Sequence, residues 1–212
     1  MNKVTAAVTR YIQNAFSELD PKSFSQEPAY VAALMGRLRG VAWEDDDGTL
    51  VKFKTTVIDD RGPKSAESRF GADFAISLEM TGRDYNVSKA VFGQGKRGKI
   101  EKLRTSEKRR LDEQCSKMSK HTKEYLILET PMISGASPMV RLRSDSEITP
   151  SGQQISLQNY IVEMFIACKH GDKRPSFVSA VQESNLSQLS IIVEGLDPNL
   201  IPDSKPRHKP RF

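Results

Sequence analysis

The stretch ESRFGADFAISLEM, Glu67–Met80, and the stretch KAVFGQGKRGK, Lys89–Lys99, decide the fold. In the first, Phe74, Ile76 and Leu78 alternate with smaller residues, the period of a strand with one buried face. TGRDYN (81–86) supplies turn residues. SKAVFGQGK (88–96) then reads as the return strand of a hairpin. Side chains two apart on a strand point the same way, so Gln94 and Lys96 project together, with Gly95 opposite. In a hairpin the start of one strand lies beside the end of the other. Asp73 is therefore expected next to Gln94 and Lys96. One carboxylate, one amide oxygen and one ammonium at a strand end form a set with chemistry in it. Hard oxygen ligands suit Mg²⁺, which binds through few protein groups. A neighbouring lysine can stabilise charge on a phosphate.

Outward from the hairpin, the chain reads as alternating helix and strand. Val4–Leu19 has apolar residues at helical spacing and ends before Pro21. QEPAYVAALMGRLRG (26–40) reads as a second helix, with Pro28 in its first turn and Gly40 as its stop. GTLVKFKTTVIDD (48–60) reads as a strand, and with the hairpin it predicts a three-stranded antiparallel meander over 50–97. A long helix is expected after Gly98, with Leu103, Leu111, Cys115 and Met118 on its apolar face. EYLILET and MVRLRS follow as strands. ISLQNYIVEMFIACKHG is a helix closed by Gly171, and LSIIVEGL a last strand or short helix. The expected class is α/β, with a mixed central sheet flanked by helices. One domain spans residues 1–200, and 201–212 form a basic Pro-rich tail. There is no G-x-G-x-x-G after a first strand and no P-loop, which excludes those nucleotide folds.

The bulk numbers fit one soluble domain: 212 residues, 37% hydrophobic and 28% charged. No run approaches a membrane span, and the N-terminus lacks the apolar core of a signal peptide. Two distant cysteines, Cys115 and Cys168, fit a reduced, cytoplasmic protein. They and three scattered histidines make no zinc pattern. The net charge is +5, yet Lys89–Lys123 alone holds twelve Lys or Arg against four Asp or Glu. Such a block on an otherwise slightly acidic chain is the footprint of a polyanion partner. Arg97, Lys99, Arg104, Lys108, Arg109 and Lys117 are the candidate phosphate contacts.

GAD at Asp73 followed by QGK at Gln94-Gly95-Lys96 resembles the PD-(D/E)XK nuclease superfamily. The variant with Gln in place of the second acid, as in Mrr-like restriction endonucleases, is the most similar. The helix and strand that follow, from Leu111 and Gln114 through Cys115, Met118 and Thr122 to Tyr125–Leu128, fit related prokaryotic defence nucleases. The resemblance covers roughly Gln26 to Glu129 and implies a restriction-endonuclease-like core. It implies Asp73 as the central metal ligand, Gln94 in place of the second acidic ligand, the Gly95 carbonyl as a further ligand, and Lys96 as the catalytic lysine. A helix glutamate completes such sites; Glu27 is the candidate and Glu67 its rival, with the loop acids Asp59 and Asp60 behind them. The implied activity is Mg²⁺-dependent (or Mn²⁺-dependent) hydrolysis of double-stranded DNA. The implied setting is an antiphage or restriction system, with a partner protein or homo-oligomerisation as restraint. Two other readings stand beside it: a catalytically inactive nuclease fold that binds nucleic acid or protein, and a regulatory subunit packing through the 155–170 helix.

Overall fold

The computed structural model describes residues 3–58, 62, 65–143 and 147–196. Asp59, Asp60 and the 201–212 tail lie outside the described residues. The elements run α1 (Lys3–Ser17), α2 (Glu27–Leu38), β1 (Gly40–Glu44), β2 (Leu50–Thr56), α3 (Ala66–Phe70), β3 (Phe74–Gly82), β4 (Tyr85–Arg97), α4 (Thr105–Ser119), β5 (Tyr125–Thr130), β6 (Met139–Leu142) and β7 (Ile155–Ser156). They continue with α5 (Leu157–Asn159), which passes into a π-helix over Tyr160–Ile166, then α6 (Pro175–Gln182) and β8 (Ser187–Glu194). The strands form one mixed sheet in the order β1-β2-β8-β3-β4-β5-β6-β7.

The hairpin of β3 and β4 sits at the centre. Its antiparallel register pairs Phe74 with Gly93 and Gly82 with Tyr85. The expected meander does not form. β8 lies between β2 and β3, antiparallel to the former and parallel to the latter, with Phe74 opposite Ser187. The reason is burial: Leu189, Ile191 and Val193 of β8 are all inside. A strand whose alternate residues are large and apolar gains most in the middle of the sheet.

Alternation along the strands makes two cores. Phe74, Ile76, Leu78, Met80 and Val91 face α1, α2 and the π-helix, packing with Val8, Ile12, Leu34 and Phe165. Ala75, Ala90, Phe92 and Ile127 face the other way, toward Leu111, Cys115 and Met118 of α4 and Phe177 and Val181 of α6. The result is a helix–sheet–helix sandwich, the arrangement that covers both faces of a buried mixed sheet.

Several elements differ from the sequence reading. β1 begins at Gly40, which was expected to end a helix; α2 has already ended at Leu38. α4 begins at Thr105 rather than just after Gly98, because a 3₁₀ turn over Ile100–Lys102 intervenes. The Arg104 N–H donates to the Glu107 carboxylate at 2.9 Å, which caps α4. α3 and α6 are short helices, of five and eight residues, that the periodicity did not reveal. The π-helix core residues Tyr160, Ile161 and Phe165 are fully buried, so this segment is interior.

Candidate functional site

The sequence around Asp73 explains how that residue is aimed. α3 starts with Ser65, whose Oγ accepts from Ser68 N at 3.2 Å, and stops at Gly71. Gly71 has φ +75, and a Cβ there would stand 2.3 Å from the Gln114 carbonyl. Only glycine combines that conformation with so close an approach of α4. The chain leaves α3 by this tight turn, and Asp73 N then donates to Gly93 O at 2.9 Å, joining the β3–β4 ladder.

The ladder brings Asp73 alongside the end of β4. Asp73 Oδ2 accepts from Gly95 N at 2.8 Å and from Gln94 Nε2. Gln94 Nε2 also reaches Gly95 O at 3.3 Å, while Gln94 Oε1 is buried and has no hydrogen-bond partner. Lys96, on the same face as Gln94, is buried and donates from Nζ to Gln114 Oε1 at 3.0 Å. On the opposite face, Gly95 meets α2: a Cβ there would lie 3.2 Å from Val31 Cγ2, 3.4 Å from Asp73 Oδ2 and 3.7 Å from Glu27 Cβ. Glu27 Oε1 accepts from Arg97 N at 3.3 Å. The helix and the strand end are thus tied together by that carboxylate.

These groups open into one cleft of about 610 Å³, lined by Glu27, Glu67, Asp73, Gln94, Gly95 and Lys96. Every residue in the candidate metal and catalytic sets lines it. Arg110 and Glu107 of α4, Leu186 and Ser187 at the start of β8, and the exposed pair Val57 and Ile58 complete its walls. Four carboxylates and two cations line this space. Its field favours cations, opposite to the basic block around it.

Burial dominates the electrostatics. Asp73 keeps a part of its surface open to the cleft, yet protein packs closely around its carboxyl. Desolvation pushes it up to about 6, and the Glu67 charge adds to the effect; the Gly95 N–H, Lys96 and Gln94 oppose it. Desolvation also lowers Lys96, while Asp73 and Glu27 hold it up. The two groups therefore differ less in proton affinity than free Asp and Lys do, as in sites that handle protons.

Glu67 and Glu27 stand differently. Glu67 Oε1 accepts from Arg110 Nη2 at 3.1 Å and from Gln114 Nε2 at 3.2 Å. Its partners hold it to α4, and through Gln114 it is linked to Lys96. Glu27 faces Gly95 directly. Gln114 and Arg110 had not been picked out as site residues. Gln114 was visible as a polar residue inside the apolar stripe Leu111, Cys115, Met118, where burial of an amide asks for a partner.

None of the six candidate phosphate-binding residues lines the cleft. Lys99, Arg104, Lys108, Arg109 and Lys117 are exposed. Arg97 is half-buried and its guanidinium donates to Phe24 O at 3.2 Å, so it braces the fold. Lys117 Nζ donates to Ser68 O at 3.1 Å, on the α3 side. Lys89, counted in the basic block, is fully buried and caps the carbonyls of Phe165 and His170. No described helix is long and apolar enough to cross a membrane. Comparison of the chain with family models, with curated proteins and with solved structures finds no match.

Proposed function

We propose that the chain is a divalent-metal-dependent nuclease with a restriction-endonuclease-like core, cutting duplex DNA at the cleft of Asp73, Gln94 and Lys96. The observation that carries the reading is the orphan Gln94 Oε1, a buried acceptor without a donor on the side chain whose Nε2 reaches the Asp73 carboxylate and the Gly95 carbonyl. A buried amide oxygen without a donor costs free energy unless something coordinates it. Asp73, Gln94 and the Gly95 carbonyl are all oxygen donors, with Glu27 across from them, and this fits Mg²⁺ or Mn²⁺. When bound there, such an ion would lower the pKa of a water and neutralise phosphate charge.

The protein's own residues would do the rest. The cleft's carboxylates repel a phosphodiester unless their charge is balanced, which ties substrate entry to cation loading. Lys96, fixed by Gln114, holds an ammonium in low dielectric where the extra charge on the attacked phosphorus develops. The same group can orient the attacking water. Exposed Lys99, Arg104, Lys108 and Arg109 would set the register of the backbone without reading bases.

A second reading is a nucleic-acid-binding module without chemistry. One observation favours it: among the described residues, no three of His, Cys, Asp or Glu form a metal-holding group. Plasmid nicking by the purified protein in Mg²⁺, Mn²⁺ and EDTA, beside Asp73→Ala and Lys96→Ala, separates the two. Metal-dependent cutting lost in both variants supports the nuclease. Salt-sensitive binding that survives both, with no cutting, supports the module. An antiphage role, with a restraining partner or self-association, belongs to the first reading and is tested by phage challenge of cells expressing wild type or Lys96→Ala.

A further inference from the structure

Strands β4 and β5 run parallel, with Arg97 opposite Thr130, so the segment leaving β5 emerges beside the end of β4. Its first residues are Pro131, Met132 and Ile133. Met132 is 54% exposed and Ile133 72% exposed, an adjacent pair of large apolar side chains. Met132 lies over Gly98, its Cγ 3.4 Å from where a Cβ would be. Gly98 is two residues beyond Lys96, about 7 Å along an extended chain. The pair therefore stands beside the strand end that carries Lys96, without lining the cleft itself.

The segment is held in place. Gly98 N donates to Thr130 O at 2.9 Å, and Ala136 N to Ile133 O at 3.2 Å, across a turn with Gly135 at φ +75. Ser134 Oγ donates to Asp20 Oδ1 at 2.7 Å, and Ser137 Oγ to Gln158 Oε1 at 2.8 Å. The turn's serines are tied to neighbouring side chains, while two large apolar side chains beside them stand exposed. Exposed lysines flank the residues that anchor it: Lys22 is two residues from Asp20, and Lys99 and Lys102 follow Gly98. Of the acids there, Glu101 is paired with Arg141, and Asp20 accepts from Ser134 and keeps its charge against the three lysines. Apolar tips in a cationic frame complement a polymer with charged edges and an apolar interior, which is a base stack between phosphates.

We propose that Met132 and Ile133 form a wedge that enters between base steps of the nucleic acid beside the phosphate at Lys96; this rests on the nuclease reading. Apolar side chains of this kind unstack a step and bend the duplex. Cutting should therefore favour steps that open easily, such as TA and CA/TG.

The test uses a duplex carrying 2-aminopurine at one step, and the full chain with Asp73→Asn so that nothing is cut. Anisotropy reads binding and 2-aminopurine fluorescence reads unstacking. The expected result is a fluorescence rise on binding that Met132→Ser with Ile133→Ser abolishes. In a wild-type background the same double variant should cut paired duplex about tenfold slower or more, with the rate restored on a duplex already mismatched at that step. An unchanged fluorescence rise in the double variant overturns the wedge, as does binding without any rise. Failure to bind overturns it too, and so does a double variant whose only effect is to turn an oligomer into a monomer. Cutting by the wild type that is indifferent to the double variant leaves the nuclease standing without the wedge. A wedge signal with no cutting by the wild type does the converse.

Discussion

Replacing Asp73 by Asn should make the metal-free protein more stable and, under the proposed nuclease function, abolish cutting. Asn keeps an oxygen to accept from Gly95 N and Gln94 Nε2, so the ladder end survives. What it removes is a buried negative charge. Burial raises the Asp73 carboxyl from 3.8 to about 6. That difference corresponds to about 3 kcal/mol at most against the folded state at pH 8. Water in the cleft reduces it, and a gain of about 1–2 kcal/mol is expected. The sign follows from proton binding. A carboxyl raised on folding binds protons more tightly in the native state, so its contribution is favourable below pH 3.8 and lost as pH rises through about 6. The advantage of Asn should therefore be absent at pH 3, small at pH 4 and fully developed by pH 7–8. Urea unfolding at several pH values, in EDTA and in Mg²⁺, measures it. With a slope of about 2 kcal/mol/M, the midpoint in EDTA at pH 8 should rise by roughly 0.5–1 M. Mg²⁺ should stabilise the wild type and leave Asp73→Asn unmoved. An Asn variant less stable than wild type at pH 8 would refute the argument that this carboxylate sits under electrostatic strain.

Three further outcomes follow from other contacts. Gly71→Ala meets a left-handed backbone and the Gln114 carbonyl at 2.3 Å; it should cost about 3 kcal/mol, a melting fall of roughly 10 °C by calorimetry. Gln114→Leu takes the acceptor from Lys96 and so lowers the ammonium's proton affinity further; kcat should fall with KM little changed, and the alkaline limb of the pH–rate profile should move to lower pH. Arg104→Ala, Lys108→Ala and Arg109→Ala should each flatten the dependence of log affinity on log salt by about one, read by DNA binding across a salt series, with cleavage at saturating DNA preserved.

The hairpin was open to reading because its signals are local. Period-two alternation at Phe74, Ile76 and Leu78, with turn residues inside 81–86, leaves little choice of pairing, and the turn itself tightens to Arg83 and Asp84 between the paired Gly82 and Tyr85. The same period puts Gln94 beside Lys96, and antiparallel geometry brings Asp73 to them. The place of β8 was hidden. Phe74 pairs with Ser187, more than a hundred residues away, and no periodicity in either strand names its neighbour. Side-chain fates were hidden for the same reason. Lys89, Lys96 and Arg97 count as surface charge in a sequence, yet the first two are buried and the third braces Phe24. Thus the basic block overstated the charge available to a polyanion. Glu27 came into view only through resemblance, since a helix start carries no mark of the strand end it will face. The acidic lining of the cleft, with Glu107 and Arg110 drawn in from α4, emerges only when helices close over the sheet.

In the proposed nuclease, Lys96 acts on a phosphodiester bound at a metal-dependent site. Single-turnover cleavage of an end-labelled duplex by wild type and Lys96→Met, with binding followed by anisotropy in the same samples, tests it most directly. Wild type should cut in Mg²⁺ and not in EDTA, and Lys96→Met should bind as well yet cut at least about a hundredfold more slowly. Equal cutting by Lys96→Met, or cutting by the wild type that persists in EDTA, would contradict it.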